Sequence, residues 1–198
     1  KTKRDLYRKT NCRYCHAALP EPFLDLETMA LANSFLSKEQ LKDEEFTCPL
    51  RLSWCSHCTL VQLSDVVPAD LMFSNYLYVS STTQTFRQHF AEYAKKAKAR
   101  LLRKTGPFLA VDIGSNDGLL LSCYQNEGMR AVGVEPARNL SREANEKGLR
   151  TVNDYFGEKP AGAILKEFGP ADIISANNVF AHIDDIHSVC RGVNKLLA

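Results

Sequence analysis

The sequence predicts an α/β protein in two parts, an irregular N-terminal domain and a parallel β-sheet with helices on both faces. From about residue 105 onwards, short apolar runs alternate with helical segments, which is typical of βαβ units. Residues 1–73 contain four prolines and no sustained hydrophobic periodicity, which favours a loop-rich domain. Four of the seven cysteines form two Cys-x-x-Cys pairs inside that irregular stretch.

The composition is that of an ordinary globular protein. The 198 residues include 25 Lys and Arg against 23 Asp and Glu, and 44% are hydrophobic, which excludes disordered, collagen-like and coiled-coil chains. A net charge of +2 gives no argument for nucleic acid, and no stretch reaches the ~20 apolar residues of a membrane span. An odd cysteine count without a secretory signal indicates a reducing compartment, so we expect a cytoplasmic protein without nucleic-acid or membrane partners.

A helical linker is predicted over residues 74–104. From about Gln84 to Lys104, apolar residues recur at steps of three and four, and Gly106-Pro107 ends the helix. The opposite face is basic, which indicates either a solvated surface or one that attracts a phosphate-bearing substrate. The predicted apolar stripe consists of Phe86, Phe90, Tyr93, Ala97 and Leu101.

Four strands and four helices are predicted to alternate over residues 105–198. The strands are short and mostly apolar, which indicates a sheet buried on both faces, and right-handed crossovers place helices on both sides. The chain begins without Met and stops after a helix where another strand is due, so we expect a fragment of a longer protein with an incomplete sheet. The predicted strands are 108–114, 130–135, 149–152 and 171–176, and the helices are 116–126, 137–147, 159–168 and 184–197.

The two cysteine pairs predict a structural zinc site. Each Cys-x-x-Cys turn brings two thiolates together, and two turns supply the four sulfurs of tetrahedral Zn²⁺, with Zn–S near ~2.3 Å. Metal binding also provides folding free energy to an irregular segment, and a closed four-sulfur site leaves no position for water. The segment between the two pairs must therefore form a structural element of its own. The predicted ligands are Cys12, Cys15, Cys55 and Cys58.

Three other interpretations of these cysteines stay open. Cys12 to His16 fits the C-x-x-C-H form of c-type haem attachment. A redox dithiol is a second alternative, although such a pair normally follows a strand in a βαβ unit. In the third, His16, His57 or Cys48 replaces one of the four cysteine ligands.

A glycine-rich turn, VDIGSNDG, follows the first predicted strand of the parallel sheet. It does not fit the dinucleotide fingerprint G-x-G-x-x-G, because the second glycine is missing. It fits acidic-x-Gly-x-x-x-Gly, the glycine turn of S-adenosylmethionine (SAM) methyltransferases, with Asp112, Gly114 and Gly118 in the defining positions. The turn, which includes Asn116, is expected to pass under the methionine part of SAM, with Asp112 facing its ammonium group directly or through water.

The ends of the next three strands offer groups for the rest of that cofactor. A carboxylate about 20 positions after the glycine turn suits both ribose hydroxyls, and an NDYF stretch offers a polar group and an aromatic ring for adenine. The fourth strand ends at the edge where open α/β sheets bind ligands. A nicotinamide-dependent dehydrogenase stays open as an alternative, because the same carboxylate suits NAD. The predicted residues are Glu135, Pro136, Asp154, Phe156 and Asn177.

Seven motifs follow one another along the chain: CRYC, PFLDLETMALANSFL, LSWCSHCTLVQL, MFSNYLYVSS, VDIGSNDGLLL, GVEPARN and NNVFAHIDD. In this order they resemble the SAM-dependent sugar C-methyltransferases with an N-terminal zinc-binding domain. The resemblance implies a Rossmann-like class I methyltransferase fold and a third, C-terminal domain that follows this chain. It also implies the reaction, methylation of a carbon in a nucleotide-linked, typically dTDP-linked, 4-keto deoxysugar.

The resemblance further implies two active-site residues. Tyr76, in the Tyr-x-Tyr-x-Ser motif, is expected to hydrogen-bond the sugar or its enolate oxygen, and His182 to polarise or position it. The family's favoured base is a histidine in a Glu-His motif that this sequence lacks, so we expect cofactor binding at most from the chain alone. As plainer alternatives, Tyr76 and Tyr78 form one face of a strand, and His182 caps onto Asp184 or Asp185 at a helix start.

Two other functions stay open. One is a methyltransferase with a different small-molecule acceptor, because fold does not fix substrate. The other is a zinc-stabilised binding module whose SAM pocket is not catalytic. A keto-sugar enzyme should exchange the α-proton of its sugar with solvent even without SAM, whereas the binding module should not.

Overall fold

A computed structural model describes residues 7–74, 76–101 and 105–198. The chain divides into two compact units, an N-terminal unit that ends at Phe73 and a C-terminal unit from Ser74 to Ala198. In the described ranges, no helix is long and apolar enough to cross a membrane.

The N-terminal unit contains a three-stranded antiparallel sheet in the order β1-β2-β3. Its elements are β1 (Leu24–Ala30), β2 (Thr47–Trp54), β3 (Val61–Leu63) and the short helix α1 (Ala69–Phe73). The sequence predicts a loop-rich domain here and assigns none of these strands. Every residue of β1 is exposed, and its pairing with β2 is irregular between Asp25 and Thr28. Such a strand carries no alternation of buried and exposed positions from which to predict it.

Apart from Pro49, the buried side chains in the described part of the N-terminal unit are cysteines and polar groups. The guanidinium of Arg51 donates hydrogen bonds of 2.7 and 2.6 Å to the two carboxylate oxygens of buried Asp65. The Ser53 and Ser64 hydroxyls lie 2.7 Å apart, and both residues are fully buried. Many large apolar side chains of the unit, such as Phe35, Leu41 and Trp54, are exposed.

The C-terminal unit follows the predicted alternation of helices and strands. The helix α3 begins at Leu119 rather than Asn116, because the preceding turn has left-handed backbone at Asn116 and Gly118. The helix α2 ends at Ala99, and residues 102–104 of its predicted length lie outside the described residues. The elements are α2 (Gln84–Ala99), β4 (Leu109–Ile113), α3 (Leu119–Asn126), β5 (Arg130–Val134), α4 (Arg138–Glu146), β6 (Thr151–Val152), α5 (Glu158–Phe168), β7 (Ile173–Ser175) and α6 (Ile186–Leu196).

These strands form a parallel sheet in the order β6-β5-β4-β7, with an apolar cluster on each face. Along β4, Leu109, Val111 and Ile113 belong to the cluster with α5 and α6, whereas Ala110 belongs to the cluster with α2 and α3. The predicted apolar stripe of α2 packs into the cluster with α2 and α3. Phe90 is buried in that cluster, and Tyr93, Ala97 and Leu101 pack against it while partly buried. The predicted α/β architecture with helices on both faces is therefore confirmed.

The strand order reverses at β4, since β5 and β6 lie on one side of it and β7 on the other. Open α/β sheets bind ligands in the crevice that such a reversal leaves at the carboxyl ends of the strands. Asp112 on β4 lies in register with Ser175 on β7 at this point. The fold therefore brings the predicted cofactor residues to one edge of the sheet.

Candidate functional site

The four predicted metal ligands form one cluster of sulfur atoms. All four Sγ atoms lie within 4.8 Å of one another, with Cys12 and Cys58 at 3.6 Å and Cys15 and Cys55 at 3.5 Å. Four sulfurs at ~2.3 Å from a central zinc ion are about 3.8 Å apart in a regular tetrahedron. The donor set and the spacing therefore fit a structural Zn²⁺. Cys48, His16 and His57 are not part of the cluster.

The two cysteine turns have the same backbone hydrogen bonds. The Cys12 N–H donates to the Ala17 carbonyl at 2.8 Å, and the Cys55 N–H donates to the Leu60 carbonyl at 2.9 Å. In each turn the residue four positions after the first cysteine has left-handed backbone, with φ of 60° at His16 and 64° at Thr59. Two copies of one turn therefore present their thiols to a common centre.

Gln62, on β3, forms a hydrogen bond to one cysteine of the cluster and was not predicted from the sequence. Its Nε2 donates to the Cys12 sulfur at 3.1 Å, and its Oε1 accepts the Arg13 N–H at 3.0 Å, which fixes the orientation of the amide. Burial acts to raise the pKa of the Cys12 thiol, but the N–H groups of Cys15 and Tyr14 and the Gln62 amide outweigh it and lower the pKa to about 6. These donors therefore favour the thiolate form that a metal requires.

The glycine turn after β4 is closely packed. Gly114 and Gly118 have φ of 67° and 83°, a region where L side chains are strained. A Cβ on Gly114 would lie 2.4 Å from Val179 Cγ2, and one on Gly118 would lie 2.6 Å from Leu149 Cδ1. These positions therefore require glycine for both backbone conformation and space.

Three buried polar atoms near this edge have no hydrogen-bond partner within the described residues. They belong to Ser115 and Asp117 in the glycine turn and to Asn177 after β7. A buried polar atom without a partner costs about 1–3 kcal/mol, so such atoms favour a polar ligand that pairs with them. The atoms are Ser115 Oγ, Asp117 Oδ1 and Asn177 Nδ2. This edge therefore fits a polar cofactor such as SAM.

Asp112 is buried at the point where the sheet order reverses. Burial raises the pKa of its carboxyl to about 7, the Ser175 hydroxyl opposes that shift by donating at 2.6 Å, and the charge of Glu135 adds to it. A carboxyl in this state gains its negative charge readily when a cation approaches. That property suits the predicted interaction with an ammonium group.

Glu135 joins two loops at the end of β5. Its Oε2 accepts the Asn116 N–H from the glycine turn, and its Oε1 accepts the Ala137 N–H before α4, both at 2.8 Å. Burial raises the pKa of Glu135, and these two N–H donors oppose that shift. Each carboxylate oxygen keeps a further lone pair for a ligand hydroxyl. Asn153 fixes the same corner by donating from Nδ2 to the carbonyls of Glu135 and Pro136 at 2.9 Å.

The predicted adenine residues differ in exposure. The Asp154 carboxylate accepts the Tyr155 N–H at 2.8 Å. The ring of Phe156 is buried in the cluster with α5 and α6, whereas Tyr155 is 38% exposed. Tyr155 is therefore the more exposed of the two aromatic side chains in this loop.

The tyrosine segment, residues 76–80, crosses the end of the sheet without forming a strand. Residues 76–79 have no regular secondary structure, so the strand alternative for Tyr76 and Tyr78 is wrong. Asn139 donates from Nδ2 to the Tyr76 carbonyl at 2.8 Å and accepts the Tyr76 N–H at 3.1 Å. Asn116 donates to the Tyr78 carbonyl at 3.0 Å and accepts the Ser80 N–H at 2.9 Å. The segment is thus bound to the glycine turn and to the first turn of α4.

His182 lies in a short 3-10 turn, Phe180–His182, after β7. The backbone N–H of His182 donates at 2.9 Å to the carbonyl of Val179, and the Val179 side chain packs against Gly114. The cap of α6 is Asp185, whose carboxylate accepts the Ser188 N–H at 2.9 Å. His182 therefore belongs to the loop beside the glycine turn rather than to the first turn of α6.

Two family models match the chain. Residues 84–198 match a model described as "Methyltransferase domain", and residues 12–73 match one described as "Putative zinc binding domain". The chain belongs to the methyltransferase family that the first model defines. The predicted resemblance to methyltransferases with an N-terminal zinc-binding domain is confirmed.

The C-methyltransferase NovU of Streptomyces niveus is a relative with 34% identity over 190 residues. The alignment covers 94% of this chain and 44% of NovU, so the chain spans less than half the length of that relative.

Among solved structures, magnesium protoporphyrin IX methyltransferase ChlM from Synechocystis PCC 6803 is similar with a TM-score of 0.42 and 14% identity, over 56% of this chain and 54% of ChlM. A SAM-dependent methyltransferase from Agrobacterium tumefaciens has a TM-score of 0.44 and 12% identity, over 75% of this chain and 66% of that one. At these scores no functional argument rests on either similarity.

Proposed function

We propose that the protein transfers a methyl group from SAM to the carbon beside the ketone of a nucleotide-linked 4-keto deoxysugar, typically a dTDP sugar. The observation that carries the proposal is the 34% identity to a C-methyltransferase over 94% of the chain, because it extends through the cysteine unit and the sheet unit alike. The sugar is proposed from the resemblance of the seven sequence motifs to the sugar C-methyltransferases.

The proposed reaction begins with loss of a proton from the carbon beside the ketone. The proton is acidic because the carbanion delocalises onto the ketone oxygen as an enolate. Bound SAM supplies the electrophilic methyl group on its sulfonium. When SAM is bound, its S–CH₃ bond would break as the enolate carbon takes the methyl group, and the electron pair of that bond would stay on sulfur.

The residues at the sheet edge are proposed to bind and orient the two reactants. Glu135 has a lone pair on each oxygen for the ribose hydroxyls, and Asp112 faces the ammonium group. Asp154 and Tyr155 are proposed to serve the adenine, whereas Phe156, predicted for that role from the sequence, packs in the apolar cluster with α5 and α6. Asn177 and Pro136 complete the lining of this edge. Fixed alignment of carbon, methyl and sulfur supplies much of the rate in such reactions.

Tyr76 and His182 are proposed to act on the sugar. The Tyr76 hydroxyl is proposed to donate a hydrogen bond to the oxygen that becomes the enolate, where a positioned donor lowers the barrier. His182 is proposed to hold the same ketone from the loop after β7. The proton leaves to a general base that we assign to no residue of this sequence, since it lacks the Glu-His motif of the resembled family.

The test uses the protein at its natural length and a dTDP-4-keto sugar in deuterated water. We expect deuterium to enter the carbon beside the ketone without SAM, and a methyl group to appear on that carbon when SAM is added. Tyr76→Phe should slow both reactions about 100-fold, as is typical for the loss of one oxyanion donor. Tyr14→Phe, in the cysteine unit, is the matched control. Methylation on an oxygen or nitrogen, with no deuterium uptake at carbon, would contradict the proposal.

A further inference from the structure

We propose that Asn116 and Asn139 are positioning residues that couple the cofactor-binding edge to the tyrosine segment. The inference rests on the proposed function, in which the cofactor binds at Glu135 and the sugar at Tyr76. It assigns to the two asparagines a role that acts through the backbone of residues 76–80. Neither side chain is proposed to touch the cofactor or the sugar.

The geometry shows two asparagine clamps on one short segment. Asn139 brackets Tyr76 by donating to its carbonyl and accepting its N–H, as a neighbouring strand does. Asn116 holds the next turn of the segment through the Tyr78 carbonyl and the Ser80 N–H. Residues 76–79 have no regular secondary structure of their own, so these bonds take the place of a sheet ladder.

The side chain of Asn116 is occupied by the protein itself. Its Oδ1 accepts the N–H groups of both Ser80 and Asp117, at 2.9 Å each, and its Nδ2 donates to Tyr78. These bonds use both acceptor sites of the amide oxygen and one of the two N–H donors. Asn116 was predicted as a cofactor residue, but its contacts favour an indirect role through the tyrosine segment.

Glu135 connects the two clamps. One of its oxygens holds the backbone N–H of Asn116, and the other holds the N–H of Ala137, two residues before Asn139. A ligand whose hydroxyls bind this carboxylate therefore acts on the backbone that carries each asparagine. The path from Glu135 to Tyr76 is short: it runs by hydrogen bonds and through the backbone of residues 137–139, and the residues it joins are buried or half-buried.

Coupling of this kind is reciprocal, so the cofactor should stabilise the segment as much as the segment favours the cofactor. We expect SAM to slow hydrogen exchange at the Tyr76 and Ser80 amides at least about fivefold, the lower end of typical coupling factors. Exchange is read residue by residue by NMR on this chain. SAM affinity is measured in parallel by calorimetry.

The variants separate the clamp from general stability. Asn139→Ala removes the Tyr76 bracket, and Asn116→Gly removes the other clamp while suiting the left-handed backbone at φ 53°. The control is Asn145→Ala at the other end of α4. Asn145 brackets Thr151 in the same way, accepting its N–H at 3.1 Å and donating to its carbonyl at 2.8 Å.

We expect SAM to slow exchange at Tyr76 in the wild type and in Asn145→Ala but not in Asn139→Ala, and we expect Asn139→Ala to weaken SAM binding by the same factor of about five. At natural length, Asn139→Ala should lower kcat at least tenfold, whereas the KM for SAM should rise only by about that factor. If SAM binds and exchange at the segment does not change, the coupling is wrong and the proposed function stands. If SAM does not bind the wild type, the proposed function fails, and the coupling fails with it.

Discussion

In the C-terminal unit, two apolar clusters fill both faces of the sheet, whereas the buried side chains described in the N-terminal unit are, apart from Pro49, cysteines and hydrogen-bonded polar groups. The N-terminal unit also leaves Phe35 and Leu41 78% and 69% exposed. Apolar burial is the dominant favourable term in folding, at roughly 25 cal/mol per Å². The N-terminal unit therefore gains little free energy from apolar burial, and we infer that its metal site organises it.

The difference shows that one chain uses two sources of folding free energy. The cysteine cluster converts metal affinity into folding free energy, whereas the sheet converts apolar burial. The two units should therefore respond to different perturbations, and the following experiments test that separation from the largest expected effect to the smallest.

Removal of the metal should have the largest effect. With a chelator, or in Cys15→Ser, we expect residues 47–63 to lose hydrogen-exchange protection while β4 and β5 keep theirs. Zinc binding supplies about 10–16 kcal/mol of folding free energy in small zinc-dependent domains. Cys48→Ala is the matched control, because Cys48 is buried in the same unit outside the cluster. Full protection of β2 in metal-free protein would show that the unit has another source of stability.

A cavity in the C-terminal unit should destabilise that unit and leave the metal site of the N-terminal unit intact. Leu121, on α3, is fully buried, so Leu121→Ala should lower the free energy of unfolding of the C-terminal unit by about 2–5 kcal/mol. Denaturant titration measures the loss, and metal content should stay near one ion per chain. Half-exposed Leu197→Ala is the control and should cost under about 1 kcal/mol. Loss of the metal in Leu121→Ala would contradict the separation of the two units.

The pH dependence of the C-terminal unit should report on Asp112. Its pKa in the folded protein is raised from 3.8 to about 7, so the folded state holds the proton more tightly and stability falls as pH rises through that window. Between pH 5 and 8, wild type should lose about 3 kcal/mol relative to Asp112→Asn, which carries no such proton. Thermal unfolding at both pH values measures the difference. Glu146→Gln, on the exposed face of α4, should keep the wild-type slope.

Loss of the Gln62 amide should have the smallest effect. We expect Gln62→Ala to weaken zinc binding about 10- to 100-fold, as is typical for second-layer partners of metal ligands. Competition with a chromophoric chelator measures the affinity. Gln40→Ala, an exposed glutamine in the same unit, should leave it unchanged. An affinity in Gln62→Ala equal to that of wild type would mean that the backbone donors alone stabilise the Cys12 thiolate.

The sequence predicts the sheet unit well because its strands are buried on both faces. Each of the four strands, such as Leu109–Ile113, is a short apolar run between turns, and a run of that kind is recognisable without tertiary information. The four cysteines are equally recognisable, because two short turns bring each pair together. Local patterns therefore account for both features.

Long-range contacts account for what the sequence does not predict. The β1 strand lacks a buried face, and it is defined by its pairing with β2. Asn139 meets Tyr76 across 63 positions of sequence, and Gln62 meets Cys12 across 50. The burial of Phe156 against α6 depends on packing that forms only in the complete sheet unit.

The most direct test of the account is a calorimetric titration of SAM and its demethylated product into the chain, with zinc content measured on the same sample. The account predicts about one zinc ion per chain and cofactor binding that Glu135→Ala weakens at least tenfold. Glu143→Ala, on the exposed side of α4, should bind as wild type does. A chain that holds zinc and binds neither ligand, or that binds SAM equally well without Glu135, would contradict it.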